Sequence, residues 1–336
     1  MISPRDFSHL SRFPGEHGNP FDVILHRLEK IQSLHSAFLM LFLIILACIG
    51  SGFSAPTAMT LITFFCLDWI LLAALPRLKL SFGPEKPVVL LLALLRSPFA
   101  FLPSQINLPF QILGVFLIIY AFYLEPFRLV INRQSLKSHK LEPESLIRIA
   151  HLGDLHIERF TKREQAILDA LEREKPDLIL FSGDVLNLSY LRDPISHSAA
   201  KQFLAKLVAP QGVFLVSGSP AVDLPEIMPA LLENLPLRWL RNEMASIPVS
   251  DQTIQLIGVT CSHRPHQDQI ILNEILTQVD RETFTILLYH SPDLAPIAAE
   301  MNIDLQLSGH THGGQFRLPG IGAFYTGSLY GRIFQH

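Results

Sequence analysis

Charge is scarce in this chain: 17% of its 336 residues are Asp, Glu, Lys or Arg, against about a quarter in ordinary globular proteins. With 49% hydrophobic residues and a mean hydropathy of +0.32, intrinsic disorder is excluded. Cysteine is scarce too. Cys48, Cys66 and Cys261 lie far apart, which rules out a small disulfide scaffold and gives no sign of an oxidising compartment. The first two sit in apolar runs, where a thiol behaves as a small hydrophobe. Basic excess is missing as well: the net charge is −3 and the residues beyond Glu125 are mildly acidic, so no nucleic-acid partner is expected.

What the chain does have is long apolar runs. Ser36 to Ala55 carries no charge, Thr57 to Leu75 only Asp68, and Ile106 to Leu124 none. At about 1.5 Å per residue such runs match a hydrocarbon layer of about 30 Å. Pro87 to Leu102, with Arg96 and Pro98, is a shorter candidate. We read four spans across residues 36–125, after a cytoplasmic tail at 1–35 and before a basic linker at 126–145. A cleaved signal peptide fits poorly, since a long mixed segment precedes the first run and further runs follow. Phe21, Ile24, Leu25, Leu28 and Ile31 have helical spacing, suiting either a helix on the membrane surface or a plain helical lead-in.

Lys and Arg fall before the first run, between the second and third, and after the fourth, while the other two connections have none. This alternation predicts a multi-pass protein of the cell membrane with everything beyond Glu125 in the cytoplasm. A re-entrant Arg96 segment would reverse that parity and leave the basic segment after Leu124 on the wrong side. Ionisable residues at membrane depth tend to pair. Asp68 and Arg96 fall at similar depths of an antiparallel hairpin, so a buried ion pair between them is predicted.

From Leu146 the pattern changes to alternating α/β. Strand-like runs at Leu146 to His151, Leu178 to Ser182 and Val213 to Val216 are each followed by a helical stretch: Lys162 to Arg173, Ser196 to Val208 and Leu224 to Asn234. Ile254 to Val259, Thr285 to Tyr289, a helix at Pro292 to Glu300, and Leu305 to Leu307 follow. Asp154, Asp184, His290 and His310 each fall just after an apolar strand, and loops at the carboxyl ends of strands converge in open α/β sheets.

Those loops spell Gly153-Asp154-Leu155-His156, Gly183-Asp184-Val185-Leu186-Asn187, Tyr289-His290-Ser291-Pro292 and Gly309-His310-Thr311-His312-Gly313-Gly314-Gln315. Two carboxylates with four imidazoles suit Mn, Fe or Zn better than Mg or Ca, which prefer oxygen. Asp-x-His and His-x-His put two side chains on one side of an extended segment. The glycines before Asp184 and His310 allow a sharp turn that aims the side chain inward. His151 and His197 read as ordinary strand and helix residues; His263 and His266 read as loop residues after Val259, from where a histidine can approach a substrate.

The order of these motifs resembles that of the calcineurin-like metallophosphoesterases. Leu-Arg-Asn-Glu at Leu240 to Glu243 and the strings from Leu287 to Pro296 and from Asp304 to Gly320 resemble the membrane-associated bacterial branch. The resemblance covers about Leu146 to Tyr330. It implies a four-layer αββα sandwich over residues 146–336 and a site that hydrolyses a phosphate mono- or diester with metal-activated water. It also implies two divalent transition metal ions. Asp154, His156 and His312 would hold the first, Asp184 would bridge, His290 and His310 would hold the second, and Asn187 would orient a ligand. The membrane bilayer becomes a partner, and tethering brings lipid-linked phosphate esters within reach as substrates.

Two departures stand out. Where the family carries Gly-Asn-His followed by Asp or Glu, this chain has Gly218-Ser219-Pro220-Ala221. Serine is a shorter and weaker ligand than asparagine and proline has no proton to give, so the second metal is expected to be weakly held and the general acid missing. The family also continues with core strands beyond the point where this sequence stops. These departures leave two readings, a membrane-anchored metallophosphoesterase and a catalytically impaired binding or regulatory module on the same fold.

Overall fold

The computed structural model describes residues 27–28, 30–142, 146–249, 252–314, 317–318, 320–323 and 326–334. The expectations for most of the 1–35 tail, including the spacing from Phe21 to Leu25, and for Gln315 fall outside these residues. Ile24–Ile131 and Asn132–His336 form two compact units.

The apolar runs of the first unit fold as four helices: α1 (Ser36–Gly50), α2 (Ala55–Ala74), α3 (Glu85–Arg96) and α4 (Ser104–Ile119). Helix α1 ends earlier than its run because Gly52 and Phe53 turn with positive φ, and Pro56 opens α2 within its first two positions, where the missing N–H costs nothing. Helix α3 stops at Arg96 and continues as 3-10 turns from Ser97, because Pro98 has no N–H with which to extend the α-helical ladder. Its 12 residues reach about 18 Å. Among the described residues, two helices are long and apolar enough to cross a membrane, Ala55–Ala74 and Ser104–Phe127, the second extending α4. Only 28% and 17% of their apolar windows are buried, so most of that surface faces away from the unit's own core. The core is Leu39, Leu43, Ala47, Leu61, Phe65, Leu72, Val89 and Ala93 with their neighbours.

Inside this apolar unit Asp68 and Arg96 do pair. Arg96 donates from Nε and Nη2 to the two Asp68 oxygens at 2.6 and 2.8 Å, and both side chains are buried. A two-pronged contact of this kind is the strong form of an ion pair. The remaining arm of Arg96, Nη1, donates to the Gln111 carbonyl at 2.7 Å and to its Oε1 at 3.1 Å, while Gln111 Nε2 donates back to the Arg96 carbonyl and to Asn107 Oδ1. The pair therefore ties α4 to the α2–α3 hairpin.

In the second unit, β1 (Ile149–Leu152), α5 (Lys162–Glu174), β2 (Leu178–Phe181), α6 (Pro194–Leu204), β3 (Val213–Leu215), α7 (Met228–Leu232) and β4 (Arg238–Trp239) alternate. The four strands form one parallel sheet in the order β1-β2-β3-β4. Thr161 and Glu164 close a capping box at the start of α5, satisfying backbone donors the first turn leaves open. A second sheet has the order β5 (Glu243–Val249), β6 (Gln252–Gly258), β7 (Thr285–Leu288), β8 (Leu305–Leu307); β5 runs antiparallel and the others parallel. Helices α8 (Pro265–Leu276) and α9 (Ala295–Glu300) belong to this half.

One apolar cluster joins Leu178, Leu180 and Phe214 of the first sheet to Ile247, Leu256, Ile286 and Leu288 of the second. A second lies between the first sheet and α5, α6 and α7, and a third packs β6 and β7 against α8 and α9. Helix, sheet, sheet and helix are thus stacked as four layers. The second sheet alone mixes strand directions, and its edge strand β5 carries Pro248, tolerated where one side of the ladder is free.

The Asp68–Arg96 pair generates a measurable expectation. Asp68→Asn or Arg96→Gln alone should each destabilise the protein by about 3–5 kcal/mol, because each strands a buried charge. The double variant should lose less than the sum of the two. Unfolding in detergent micelles reads the cycle, and purely additive losses would refute the coupling.

Candidate metal centre

The sheet order decides where the polar loops meet. Asp154 and His156 follow β1, Asp184 follows β2, Ser219 follows β3, His263 follows β6, His290 follows β7, and His310 and His312 follow β8. All six residues expected as metal ligands come together. Asp154, His156, Asp184 and His312 each place one ligand atom within 4.8 Å of the others, and His263, His290 and His310 do the same. His156 Nε2 stands 3.2 Å from His312 Nε2 and 3.7 Å from Asp184 Oδ2, and His290 Nε2 stands 3.4 Å from the same Asp184 oxygen. Asp184 Oδ2 thus faces both groups.

The backbone is bent to achieve this. Asp154, His156, Asp184, His310 and His312 all adopt positive φ, between 45° and 70°, a region non-glycine residues seldom occupy and which concentrates at functional sites. Gly183, at φ +95°, makes the turn expected before Asp184, and elsewhere the turns lie at the aspartates and histidines themselves. Gly309 gives room instead: a Cβ there would lie 2.6 Å from Asp154 Oδ1.

The ring nitrogens are oriented from behind. His290 Nδ1 donates to the Ser182 carbonyl at 2.8 Å, His156 Nδ1 to the Leu186 carbonyl at 3.2 Å, and His310 Nε2 to the Gly327 carbonyl at 3.1 Å. A carbonyl only accepts, so each ring carries a proton on that side and points its other nitrogen at the cluster, the usual arrangement behind a metal-binding imidazole. Buried Asp154 Oδ1 has no hydrogen-bond partner. An orphaned carboxylate oxygen beside imidazole lone pairs fits a divalent cation in its donor chemistry.

Asp223 holds two of the loops together, accepting the N–H groups of Asp184, Val185 and Gly218 at 2.7–3.0 Å. Burial and the neighbouring Asp184 push its carboxyl up to about 6, against the Gly218 and Val185 donors. Burial also works to raise Asp184, but the charge of His290 and the hydrogen bond to it, with His156 and His310, hold that carboxyl far below the usual range. Burial alone would depress His290; Asp184 and Asp154 overcome it and bring the imidazole to about 9. Without metal, the His290 proton is the positive charge facing these carboxylates. A cation competes with that proton, so acid pH weakens metal binding.

A sequence model of calcineurin-like phosphoesterases matches residues 147–314. The chain belongs to the calcineurin-like phosphoesterase family. It is 29% identical over 232 residues to the uncharacterized metallophosphoesterase YkuE of Bacillus subtilis, covering 64% of this chain and 75% of that one. It is 26% identical over 218 residues to the phosphodiesterase YaeI of Escherichia coli, with 60% and 74% covered. The third relative is the UDP-2,3-diacylglucosamine pyrophosphatase LpxG of Chlamydia trachomatis, at 23% over 227 residues, with 52% and 65% covered.

Several members of this phosphoesterase centre escaped the sequence reading. Asp223 lies two residues past the position where the family carries its acidic residue, and its signal was an aspartate closing a Gly-Ser turn beside apolar residues. Ser219, at the position of the missing asparagine, donates its backbone N–H to Asp184 Oδ1 at 2.6 Å. Asn187 does something other than expected: its Oδ1 accepts the Ser189 N–H at 2.9 Å and caps the turn Leu188–Tyr190, because a short polar side chain just before a helical turn satisfies that turn's open donor first. His266 is exposed, while His263 is buried among the candidate ligands.

Gly183 and Gly218 let the β2 and β3 loops touch. A Cβ at Gly218 would lie 2.1 Å from Asp184 Oδ1, and one at Gly183 would lie 2.2 Å from the Gly218 nitrogen. Gly218→Ala should therefore displace Asp184 and cut metal affinity by about tenfold or more, the scale of outer-shell damage to metal sites. Metal analysis after dialysis reads this, and full occupancy in a folded variant would contradict it.

Proposed function

We propose that this chain is a membrane-anchored, metal-dependent phosphoesterase hydrolysing a phosphate mono- or diester. The observation that carries the reading is the convergence of Asp154, His156, Asp184, His290, His310 and His312 with an orphaned carboxylate oxygen at its centre. In this reading Asp154, His156 and His312 hold one metal, His290 and His310 hold another, and Asp184 lies between them. Mn, Fe or Zn suits the mixed donor set. Bound there, divalent ions supply an acidified water and charge neutralisation for the phosphoryl group. The protein's part is to fix the imidazoles through the Ser182, Leu186 and Gly327 carbonyls and to keep Asp184 ionised.

The leaving group narrows the substrate. Hydrolysis forms a bond from water oxygen to phosphorus and breaks the bond to the leaving oxygen, which departs as an anion unless it is protonated. Pro220 offers no proton where the family has histidine. A missing acid costs about 10²–10⁴-fold on a poor leaving group and little on one already stable as an anion. Aryl esters and phosphoanhydrides meet that condition. The similarity to LpxG, a pyrophosphatase of a lipid-linked nucleotide sugar by its name, and the tethering helical unit support a lipid-linked substrate.

We assign residues 36–125 to a four-span membrane region, 126–145 to a basic linker and 146–336 to the phosphoesterase domain, facing the cytoplasm. The exposed apolar surfaces of α2 and α4 and the alternating basic connections support this. A reporter fused after Arg133 should be active in the cytoplasmic form alone; activity only outside the cell would overturn the orientation.

The full chain in detergent with Mn²⁺ should hydrolyse a bis-aryl phosphate and lose that activity on chelation. His312→Ala should lower both metal content and turnover, the latter by about 10²-fold or more. Bound metal without turnover of any activated ester would favour the second reading, a binding or regulatory module, for which the Ser219-Pro220 pair speaks. Unchanged metal content in His312→Ala would remove that residue from the site.

A further inference from the structure

Ser219 leaves the second metal short of a side-chain ligand if the preceding reading of the site holds. A serine cannot reach as far as an asparagine, yet the space beyond its hydroxyl is filled. His263 enters it from the end of β6.

We propose that His263 is a ligand of the second metal, occupying the coordination position that the family's asparagine would fill and completing a set of His263, His290, His310 and Asp184. This inference rests on the metallophosphoesterase reading above and names a residue that the family motifs do not contain.

Position comes first. A ring nitrogen of His263 lies within 4.8 Å of those of His290 and His310. His263 Nε2 is 3.1 Å from Ser219 Oγ, which is itself 3.1 Å from His290 Nε2 and 3.5 Å from Asp184 Oδ2. The His263 ring centroid is 4.5 Å from that of His310. Ser219 Oγ therefore sits amid the groups that would surround the ion, with His263 Nε2 and His290 Nε2 both within hydrogen-bond distance of it.

The backbone gives a second, independent sign. His263 has φ +58°, the same rarely used conformation as Asp154, His156, Asp184, His310 and His312. Nothing in an ordinary loop histidine requires that strain. Orientation gives a third. His263 Nδ1 faces Cys261 Sγ at 3.8 Å, leaving Nε2 for the cluster, just as His290, His156 and His310 each turn one nitrogen to a partner behind and one inward.

A proton-donating role fits less well. A general acid must meet both substrate and solvent, whereas His263 is 8% exposed and has both nitrogens committed within the protein. As a ligand it also changes the character of the site: three imidazoles and one shared carboxylate are softer than the two carboxylates and two imidazoles of the first group. The second position should therefore favour Zn, Co or Fe over Mn, and should be firmly held rather than weakened.

The test is cobalt titration of the full-length protein in detergent after chelation, read by bound metal and by visible absorption. Wild type should take two equivalents. His263→Ala should take one at the same free cobalt and lose part of the visible spectrum, and Ser219→Asn in the His263→Ala background should recover the second by supplying the amide oxygen into the vacated space. His263→Phe preserves the ring's packing without its nitrogens and should likewise bind one, which covers the case where the alanine variant does not fold. Two equivalents and a wild-type spectrum in either folded single variant overturn the proposal. Two equivalents with lost hydrolysis overturn it as well and make His263 a proton donor or positioning residue. A wild type that binds no cobalt would instead defeat the metallophosphoesterase reading, a distinct result.

Discussion

Two carboxylates at the ends of adjacent parallel strands have been brought into one partly enclosed pocket, and most of the local structure exists to make that tolerable. Burying one ionised carboxylate without a partner costs several kcal/mol, and Asp154 and Asp184 also repel each other. The site answers with donors fixed in place: the Ser219 N–H on Asp184, the His290 ring between both aspartates, and further imidazoles around them. Left-handed backbone at five of the candidate ligands and the glycine contact between the β2 and β3 loops are consequences of aiming so many polar groups at one point.

Asp223 shows the same constraint one layer out. Three N–H groups from two loops converge on it, so it replaces a hydrogen-bonded ladder where β2 and β3 diverge. Its raised carboxyl reflects its own burial first and the field of Asp184 next to it second. A polar network of this density leaves few substitutions neutral, since removing one member strands the others.

The sequence was informative where chemistry and period coincide. Asp154, Asp184, His290 and His310 fell at the ends of apolar runs, and the parallel order of those runs was enough to bring them together. Asp68 and Arg96 were legible as a pair because a membrane-like run leaves an ionisable residue few alternatives; Gln111 and Asn107 were not, because an amide in an apolar helix is no anomaly by itself. Strand β5 and helix α8 escaped the pattern. Pro248 and alternating polar residues disguise β5, whose inward positions Ala245, Ile247 and Val249 match a strand covered on one face. Helix α8 starts with Pro265 and has Asp268 in its first turn, both N-terminal helix signals, but the histidines before it drew the segment into a loop. Asp223 was hidden for a different reason: its partners are the N–H groups of Asp184, Val185 and Gly218, and no spacing in the chain records that proximity, just as none records that the loop histidine His263 lies beside Ser219.

The two units solve buried charge in opposite ways, and the contrast bears on what each is for. In the helical unit Asp68 meets Arg96 with both oxygens engaged, and the third arm of the guanidinium is taken up by Gln111. Nε, Nη1 and Nη2 of Arg96 have each found an acceptor inside the protein, so this network closes on itself and has no demand left for a ligand. In the α/β unit Asp154 retains an unpartnered oxygen, imidazole nitrogens face the same point, and the protonated His290 ring is the positive charge set against both aspartates. Folding stability alone gives little reason to gather so many ligand atoms around two carboxylates. Their donor set is one that a divalent cation would complete in place of the His290 proton, whereas the Asp68–Arg96 network is already complete without one.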